Sequence, residues 1–431
     1  MTSEITRIMG RFGTFALLTS ALLGLPVERV LADGTETLGP PSIPIAEGTG
    51  VVAAGVGLKT DDQGVIDLFV PGTVQQALLY WSGEMIEPDG LGPDTINVDG
   101  TPVAGALIGG PSAFAPNDFG FTAYRADITD LVAEGPNFLS VELSPGFTRQ
   151  SNGAGLLVIY DDGSGAASID VRDGLDLAFI RSSGDQMVTV PQTFMFPASD
   201  IARVAKLDLF FGSVKANRPN QVVYTVGGVT TELDDILKDN DGPEWDTQDL
   251  QIDIPAGATS LTVEAISADP NGTGNLPASL SWVTAGLSVP PPAPRGTIGD
   301  FVWEDCNGNG IQDDAGIDGC ELGGGIPGVP VELREGDCAG PVLANTTTGM
   351  DGDYLFTDLA PGDYCVQFPS DPPLDCGDDS MASYTTKGPD SDAANDSNAN
   401  PDGSTDPIGL DAGETNQPHH RCGCLLLGQN R

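Results

Sequence analysis

Turn-forming residues interrupt the first two thirds of this chain so often that no long helix fits between them. Between residues 33 and 289, apolar runs of strand length alternate with pairs such as Asp99-Gly100 and Gly227-Gly228. The chain holds 57 glycines and 34 prolines, and a helical period of apolar residues is hard to find. We therefore predict an all-β protein. The candidate strands are 74–81, 95–98, 138–143, 156–160, 206–211, 222–226, 250–254, 260–266 and 279–287.

Four of these segments have a counterpart later in the chain, in the same order and offset by roughly 120 to 130 positions. A duplicated β-sandwich of jelly-roll type explains the repeat, with a first sandwich at 33–200 and a second at 201–289. Chance similarity between generic strands is the alternative. The matched segments are 79–83 with 209–212, 97–100 with 225–228, 138–142 with 260–264, and 155–159 with 279–283.

The charge of the chain excludes two classes of partner. Against 18 Lys and Arg stand 62 Asp and Glu, a net charge of −44, and a surface of this sign repels both nucleic acid and anionic membrane. The two histidines, His419 and His420, are adjacent near the C-terminus, so imidazole-based catalysis is not expected. We predict that the protein is not an enzyme. A glycosidase with two facing acids in a cleft remains an alternative.

The two ends of the chain point to export and to an oxidising environment. Arg7 and Arg11 precede an apolar stretch at 12–25, and Val30-Leu31-Ala32 suits signal peptidase, which predicts a signal peptide at 1–32 and a secreted, extracellular or cell-surface protein. All seven cysteines lie after residue 300. Outside the cell such cysteines form disulfides by default, although an odd number leaves the pairing open.

A proline-rich linker at 290–295 separates the sandwiches from a second kind of module. Its strand candidates are 297–303, 329–333, 353–356 and 363–368. Between the first two of these lies a loop in which alternate positions carry oxygen ligands, with Gly310 at the sixth position for the sharp turn. This pattern matches the first three quarters of an EF-hand calcium loop. The ligand candidates are Asp305, Asn307, Asn309, the carbonyl group of Ile311, and Asp313.

The twelfth position of this loop holds Gly316, where a bidentate glutamate normally completes the site. Asp314, Asp318 or Glu321 is then expected to supply the last ligand from an enlarged loop. Cys306 and Cys320 flank the loop, and a disulfide between them is the preferred pairing because it would join the two ends.

The sequence of this module, over residues 296–416, resembles the SdrD B-like (serine-aspartate repeat, B-type) domain of bacterial surface proteins. The matching segments are 298–305 with 307–313, 325–331, 351–356, 359–364 and 396–401. The resemblance implies a small β-sandwich related to the collagen-adhesin B fold, which binds Ca²⁺ and serves as a rigid spacer outside the cell. It also implies a further acidic site at Asp390, Asp392, Asp396 and Asn398. The alternative for both clusters is an acidic loop that is merely solvated.

Two departures from the family pattern are visible. The family's final strand is replaced by a segment with His419, His420, Cys422 and Cys424, and 417–431 is predicted to be a disordered tail, with soft-metal binding as the alternative. The lysine–asparagine crosslink common in related domains is not expected, since Lys387 is the only lysine of the module and lies outside its first strand.

These observations lead to a primary and an alternative function. The primary prediction is a secreted or cell-surface structural protein with a calcium-stabilised spacer domain. The alternative is an adhesin or carbohydrate-binding protein, in which the N-terminal sandwiches hold an extracellular glycan or protein ligand. Trp245 lies in the loop-like sequence Gly-Pro-Glu-Trp-Asp and is the candidate exposed ring for sugar binding, whereas Trp81, Phe211 and Trp282 are expected to fill cores.

Overall fold

The structure is a computed structural model, and regular structure in its described residues is almost all β, which confirms the all-β prediction. The exceptions are two short 3-10 turns, Thr129–Leu131 and Gly184–Met187. No helix in the described part of the chain is long and apolar enough to span a membrane. The described residues are 30–31, 36–114, 119–181, 184–305, 308–312, 325–370, 383–385, 387, 397–414 and 422–425.

The described chain forms two compact units. The first extends to residue 290, and the second comprises the residues from 291 onward together with the short segments 198–203 and 255–257. Strands of the first unit are β1 (Val30–Leu31), β2 (Leu38–Gly39), β3 (Gly50–Gly57), β4 (Gln63–Val70), β5 (Thr73–Met85), β6 (Thr95–Val98), β7 (Thr101–Ala104), β8 (Ala106–Ala113), β9 (Gly120–Asp127), β10 (Gly135–Glu142), β11 (Gln150–Asp161), β12 (Ser168–Ala178), β13 (Gln192–Met195), β14 (Arg203–Gly212), β15 (Gln221–Val226), β16 (Val229–Asp234), β17 (Trp245–Ile254), β18 (Ser260–Ile266) and β19 (Leu280–Val289).

Strands β3 to β11, with β1, make the first pair of sheets. One sheet has the order β1-β8-β9-β5-β11-β3 and the other β4-β10-β6-β7. Their facing sides enclose an apolar core that includes Ile66, Trp81, Tyr124 and Leu156. The rings of Trp81 and Tyr124 stack with centroids 5.6 Å apart, so the core role predicted for Trp81 is confirmed.

Strands β12 to β19, with β2, make the second pair. Its sheets have the orders β17-β14-β19-β12-β2 and β13-β18-β15-β16, around a core that contains the stacked rings of Phe211 and Trp282. The sheets therefore divide between Asp161 and Ser168, whereas the sequence placed the division at residue 200. None of the strands predicted from the sequence lies between residues 160 and 206, so the pattern gives no signal for β12 and β13 and the boundary falls too late.

The two pairs of sheets have the same strand order. In the sheet β9-β5-β11-β3, each strand corresponds in position to one of β17-β14-β19-β12, and β4-β10-β6-β7 corresponds likewise to β13-β18-β15-β16. The four segments matched in sequence lie on equivalent strands of these two halves. This correspondence supports the predicted duplication, with β1, β2 and β8 as additions to the repeated eight strands.

A third apolar cluster lies between the two large sheets, so four sheets stack within the first unit. Leu157 of β11, Phe210 of β14 and Val283 of β19 belong to this cluster. The central strands are consequently buried on both faces, and β19 is buried along its whole length. We call this junction between the two large sheets the seam.

Trp245 is buried in the seam, and the prediction of an exposed sugar-binding ring is wrong. Its side chain is 0% exposed, and its ring lies 5.9 Å from that of Phe210. The facing strands make room for the indole with glycine, since a Cβ atom on Gly153 would come within 2.6 Å of the Trp245 Cβ. The loop-like sequence before Trp245 ends where strand β17 begins, and the packing of the opposite sheet determines its burial.

The second unit contains one smaller sandwich. Its strands are β20 (Gly296–Glu304), β21 (Pro330–Glu335), β22 (Val342–Thr347), β23 (Asp353–Leu359), β24 (Gly362–Gln367), β25 (Ser383–Tyr384), β26 (Ile408–Leu410) and β27 (Cys422–Leu425). They form sheets of order β23-β20-β27-β25 and β22-β21-β24-β26. Ile298, Val331, Tyr354 and Phe368 belong to the enclosed core.

Strand β27 differs from the predicted disordered tail at 417–431. Its backbone pairs in parallel with β20, from Val302 opposite Cys422 to Glu304 opposite Cys424. The backbone N–H and C=O groups along this edge of β20 are therefore paired with the chain's own C-terminal segment. The remaining tail residues lie outside the described residues. Of the predicted signal peptide at 1–32, residues 30 and 31 form β1, and residues 1–29 and 32 lie outside the described residues.

Candidate metal centre

The predicted calcium loop begins directly after β20 with a fully buried aspartate. Asp305 is 0% exposed, and its Oδ1 accepts hydrogen bonds from the backbone N–H groups of Gly308 (2.8 Å) and Asn309 (3.3 Å). Its Oδ2 accepts one from the N–H of Gly310 at 2.8 Å. A buried carboxylate is costly unless such donors compensate it, so the loop backbone is arranged around this side chain.

Glycine at two positions allows the loop to curl around Asp305. Gly308 and Gly310 have φ of 70° and 76°, values that other L-residues rarely adopt. Between them, the side-chain oxygen of Asn309 accepts a hydrogen bond from the N–H of Ile311 at 2.7 Å. This bond and those accepted by Asp305 are the short-range side-chain-to-backbone hydrogen bonds expected of a tightly wound oxygen-rich loop.

The structure describes four of the ten predicted metal ligands. Asp305, Asn309 and Ile311 lie in this loop, and Asn398 lies in the segment that follows the predicted second cluster. Among the described residues no three His, Cys, Asp or Glu side chains are grouped closely enough to hold a metal ion. Outside the described residues are Asn307, Asp313, Asp318, Asp390, Asp392 and Asp396, along with Asp314, Gly316, Glu321 and the proposed pair Cys306–Cys320.

The loop contacts the residue next to Asn398, which is the described member of the second predicted cluster, although the sequence treats the two clusters as separate sites. The backbone N–H of Ser397 donates a 2.7 Å hydrogen bond to the carbonyl oxygen of Gly310. Ser397 is 0% exposed, and its hydroxyl is buried without a hydrogen-bond partner among the described residues. Asn398 follows Ser397 directly in the chain. Nothing in the local sequence signals this contact, because the two segments are far apart in the chain.

The donor chemistry of this centre fits a hard divalent cation. The described candidates offer carboxylate, amide and backbone carbonyl oxygens, which are the ligands Ca²⁺ prefers. The carboxylate of Asp305 accepts three N–H bonds of its roughly four available lone pairs, and a buried unpartnered hydroxyl lies beside the loop. Thiolate and imidazole ligands, which select softer ions, are not among these candidates.

A disulfide stabilises the same module at another place. Cys338, in the turn after β21, is bonded to Cys365 of β24, with Cα atoms 5.2 Å apart. This bond is one of the disulfides expected among the first five cysteines. Lys387 forms a surface ion pair with Asp406 at 2.7 Å.

The comparisons with known proteins concern this module. Residues 296–422 match the family described as SdrD B-like domain. Serine-aspartate repeat-containing protein D of Staphylococcus aureus strain Newman is 42% identical over 98 residues, which are 23% of this chain and 6% of that protein. Serine-aspartate repeat-containing protein F of Staphylococcus epidermidis is 43% identical over 75 residues, 17% of this chain and 4% of its own length. The chain thus spans a small fraction of these relatives.

Among solved structures, the cycloalternan-forming enzyme from Listeria monocytogenes aligns with 53% of this chain and 19% of its own, at 11% identity and a TM-score of 0.19. That likeness is too weak to assign a fold. The match at the C-terminal end is specific in sequence and coincides with the eight-stranded sandwich described above. Residues 296–422 of this chain are therefore an SdrD B-like domain.

Proposed function

We propose that this chain is a secreted or cell-surface structural protein whose C-terminal sandwich is a spacer stabilised by calcium. The observation that carries the proposal is the buried Asp305, around which the backbone N–H groups of residues 308–310 converge. The relatives of the SdrD B-like domain are serine-aspartate repeat proteins of staphylococci, which supports a role outside the cell. A non-enzymatic role is part of the same proposal.

Calcium would stabilise the module by binding only to its folded form. The bond from Ser397 to Gly310 closes the loop only when distant parts of the module are already in place, so the unfolded chain lacks the site. Binding then adds RT ln(1 + [L]/Kd) to the free energy of unfolding, which is about 2.7 kcal/mol at a hundredfold excess of calcium over Kd. Extracellular modules typically bind with Kd of roughly 10⁻⁴ to 10⁻³ M, so the rigidity of the spacer would follow the ambient calcium concentration.

Thermal unfolding of the full chain in millimolar calcium and in EDTA tests the proposal. We expect calcium to raise Tm and to slow hydrogen exchange in peptides from 325–370. Asp305→Asn should abolish both effects, because the amide has a single acceptor oxygen and no charge. Asp363→Asn, an exposed aspartate on β24, is the matched control and should keep them. Calcium titration calorimetry on the same proteins separates loss of binding from loss of folding, and identical melting in calcium and EDTA would contradict the proposal.

The alternative function places an extracellular glycan or protein ligand on the N-terminal sandwiches. The burial of Trp245 removes the residue that the sequence offered for this role. Any ligand site in the first unit must therefore be built from other residues.

A further inference from the structure

The first unit contains a cavity at one end of the seam. Its volume is about 280 Å³, slightly below the range of roughly 300 to 1,000 Å³ common for small-molecule sites. Residues from both halves of the duplicated unit line it, among them Glu84 at the end of β5 and Arg149 before β11, and Lys215, Arg218 and Glu244 between β14 and β17. It is therefore a product of the packing of the two halves.

Positive charge is concentrated in this cavity. Four of the 18 basic residues of the chain line it, namely Arg149, Arg181, Lys215 and Arg218, against two lining carboxylates. The local balance is 4 − 2 = +2 within a chain of net charge −44. Acidic residues outnumber basic ones so heavily elsewhere that this local excess marks a place suited to an anion.

The two carboxylates are buried and held in fixed positions. Glu84 is 3% exposed, pairs with Arg149 at 2.9 Å and accepts a hydrogen bond from Gln150 at 2.7 Å. Burial raises the pKa of Glu84, and the neighbouring Arg149 partly opposes this effect. Glu244 is 1% exposed and pairs with Lys59 and Lys215.

The backbone at Glu244 has a φ of 73°, in the left-handed region that non-glycine residues seldom occupy. Strain of this kind costs about 1 to 3 kcal/mol and is concentrated at ligand-binding and catalytic sites. Here it places a buried carboxylate at the wall of the cavity.

Two guanidinium groups in the cavity are not neutralised by a direct ion pair. Arg218 donates from Nε and Nη2 to the carbonyl oxygen of Pro277, at 3.0 and 2.5 Å, and from Nη1 to the Ser279 hydroxyl at 3.1 Å. These bonds fix its plane but leave its charge without a bonded carboxylate among the described residues. Arg181, which is exposed, forms no ion pair within the same residues. Such groups recognise planar carboxylates through paired N–H donors.

Aromatic side chains also line the cavity. Phe114, Phe121 and Phe179 line it, with ring centroids of Phe114 lying 5.3 Å from Phe121 and 5.6 Å from Phe179. Ser82 and Asn152 lie two positions along the chain from the lining residues Glu84 and Gln150, and the Ser82 hydroxyl and both side-chain amide atoms of Asn152 are buried without partners among the described residues.

We propose that the cavity binds a small carboxylate-bearing sugar, a uronic or sialic acid. Arg181 and Arg218 receive its carboxylate, Glu84 and Glu244 accept hydrogen bonds from its hydroxyl groups, and the phenylalanine rings contact its apolar face. A neutral sugar would leave the two guanidinium groups unpaired, and a simple carboxylate would leave the aromatic wall uncovered. The proposal deepens the alternative function, in which the N-terminal sandwiches hold a glycan, and it is independent of calcium.

Titration calorimetry of the full chain with glucuronate, N-acetylneuraminate, glucose and acetate, all in EDTA, tests this assignment. We expect at least one acidic sugar to bind. Glucose should bind at least about tenfold more weakly because it lacks the charge-assisted hydrogen bonds of the carboxylate, and acetate should be similarly weakened because it leaves the aromatic wall uncovered. Arg181→Gln, at an exposed position that should not affect folding, is expected to lower the affinity for the acidic sugar by about tenfold. Arg172→Gln, on β12 and paired with Asp170 at 2.7 Å, lies outside the cavity and should bind like the parent protein.

Absence of binding by both acidic sugars would overturn the proposal. So would glucose or acetate binding as tightly as the acidic sugars, or an Arg181→Gln variant with unchanged affinity. All sugar titrations are done in EDTA, so they do not depend on calcium. A lack of sugar binding would therefore not contradict the calcium-dependent rise in Tm of the C-terminal module. Equal Tm values in calcium and EDTA would likewise not affect the interpretation of the sugar titrations.

Discussion

The two units of this protein stabilise their β-sandwiches by different means. The first unit has no cysteine and packs three apolar clusters, one within each half and one in the seam. The described residues of the SdrD B-like domain form a single smaller cluster, and the domain adds the Cys338–Cys365 bond and the loop wound around Asp305. Small domains bury too little apolar surface to be stable without such additions, whereas stacked sheets bury enough. The comparison shows that burial on both faces of a sheet can replace covalent crosslinks.

The largest expected effect comes from emptying the seam. Trp245→Ala should destabilise the first unit by about 3 to 5 kcal/mol, the usual loss for a fully buried large aromatic side chain. Hydrogen exchange should accelerate in peptides from β11, β14 and β19, and remain unchanged in peptides from 325–370. Phe69→Ala, at a ring that is 63% exposed, is the matched control and should cost little. A loss equally large at Phe69 would argue against the seam as the source of stability.

A smaller effect is expected from the crosslink of the second unit. Cys338→Ser should lower the stability of the SdrD B-like domain by about 3 kcal/mol, since the closed loop is of moderate length. Reducing agent should reproduce part of this loss in the parent protein, and it should leave exchange in the first unit unchanged because that unit has no cysteine. Exchange in 325–370 that is insensitive to both treatments would mean that this unit does not depend on its crosslink.

The smallest effect concerns pH and the first unit. Burial raises the pKa of Asp208, on β14, to about 7, so the folded state holds a proton that the unfolded state releases near the ordinary value of 3.8. The free energy of unfolding should therefore fall as pH rises from about 4 to 7 and stay lower above that. Neither carboxylate oxygen has a hydrogen-bond partner among the described residues, although Lys206 lies 3.4 Å away.

Asp208→Asn should accordingly stabilise the first unit at pH 8.5 by about 1 to 2 kcal/mol, since it removes an unfavourable buried charge, and should change little at pH 5. Denaturant unfolding at the two pH values measures the difference. Asp253→Asn, an exposed aspartate on β17, is the control. Equal effects of the two substitutions at pH 8.5 would attribute the gain to net charge instead of burial.

Local pattern predicted much of the fold. The segments 95–98 and 260–266 coincide with β6 and β18, because alternating apolar residues and turn-forming neighbours define both ends. Trp245 was assigned wrongly for the opposite reason: its local sequence is typical of a loop, and only the sheet packed against it makes the position buried.

The candidate sites also differ in whether a local sequence motif predicts them. Asp305 and the glycines of its loop are a local motif, and the structure brings them together as a turn. The contact of Ser397 with Gly310 joins distant segments, and the cavity collects residues from several strands of two halves. No spacing rule relates such residues, since only the three-dimensional packing of the sheets places them side by side.

The seam also determines how the protein can be dissected. Each half presents to the other a sheet whose outer face carries residues such as Leu157 and Phe210, which are 0% and 1% exposed in the intact unit. Excision of either half would expose the apolar face of its large sheet to water, and large exposed apolar surfaces promote self-association. Neither half is thus expected to fold stably by itself, and the smallest part of the N-terminal region that can fold independently is the pair of halves.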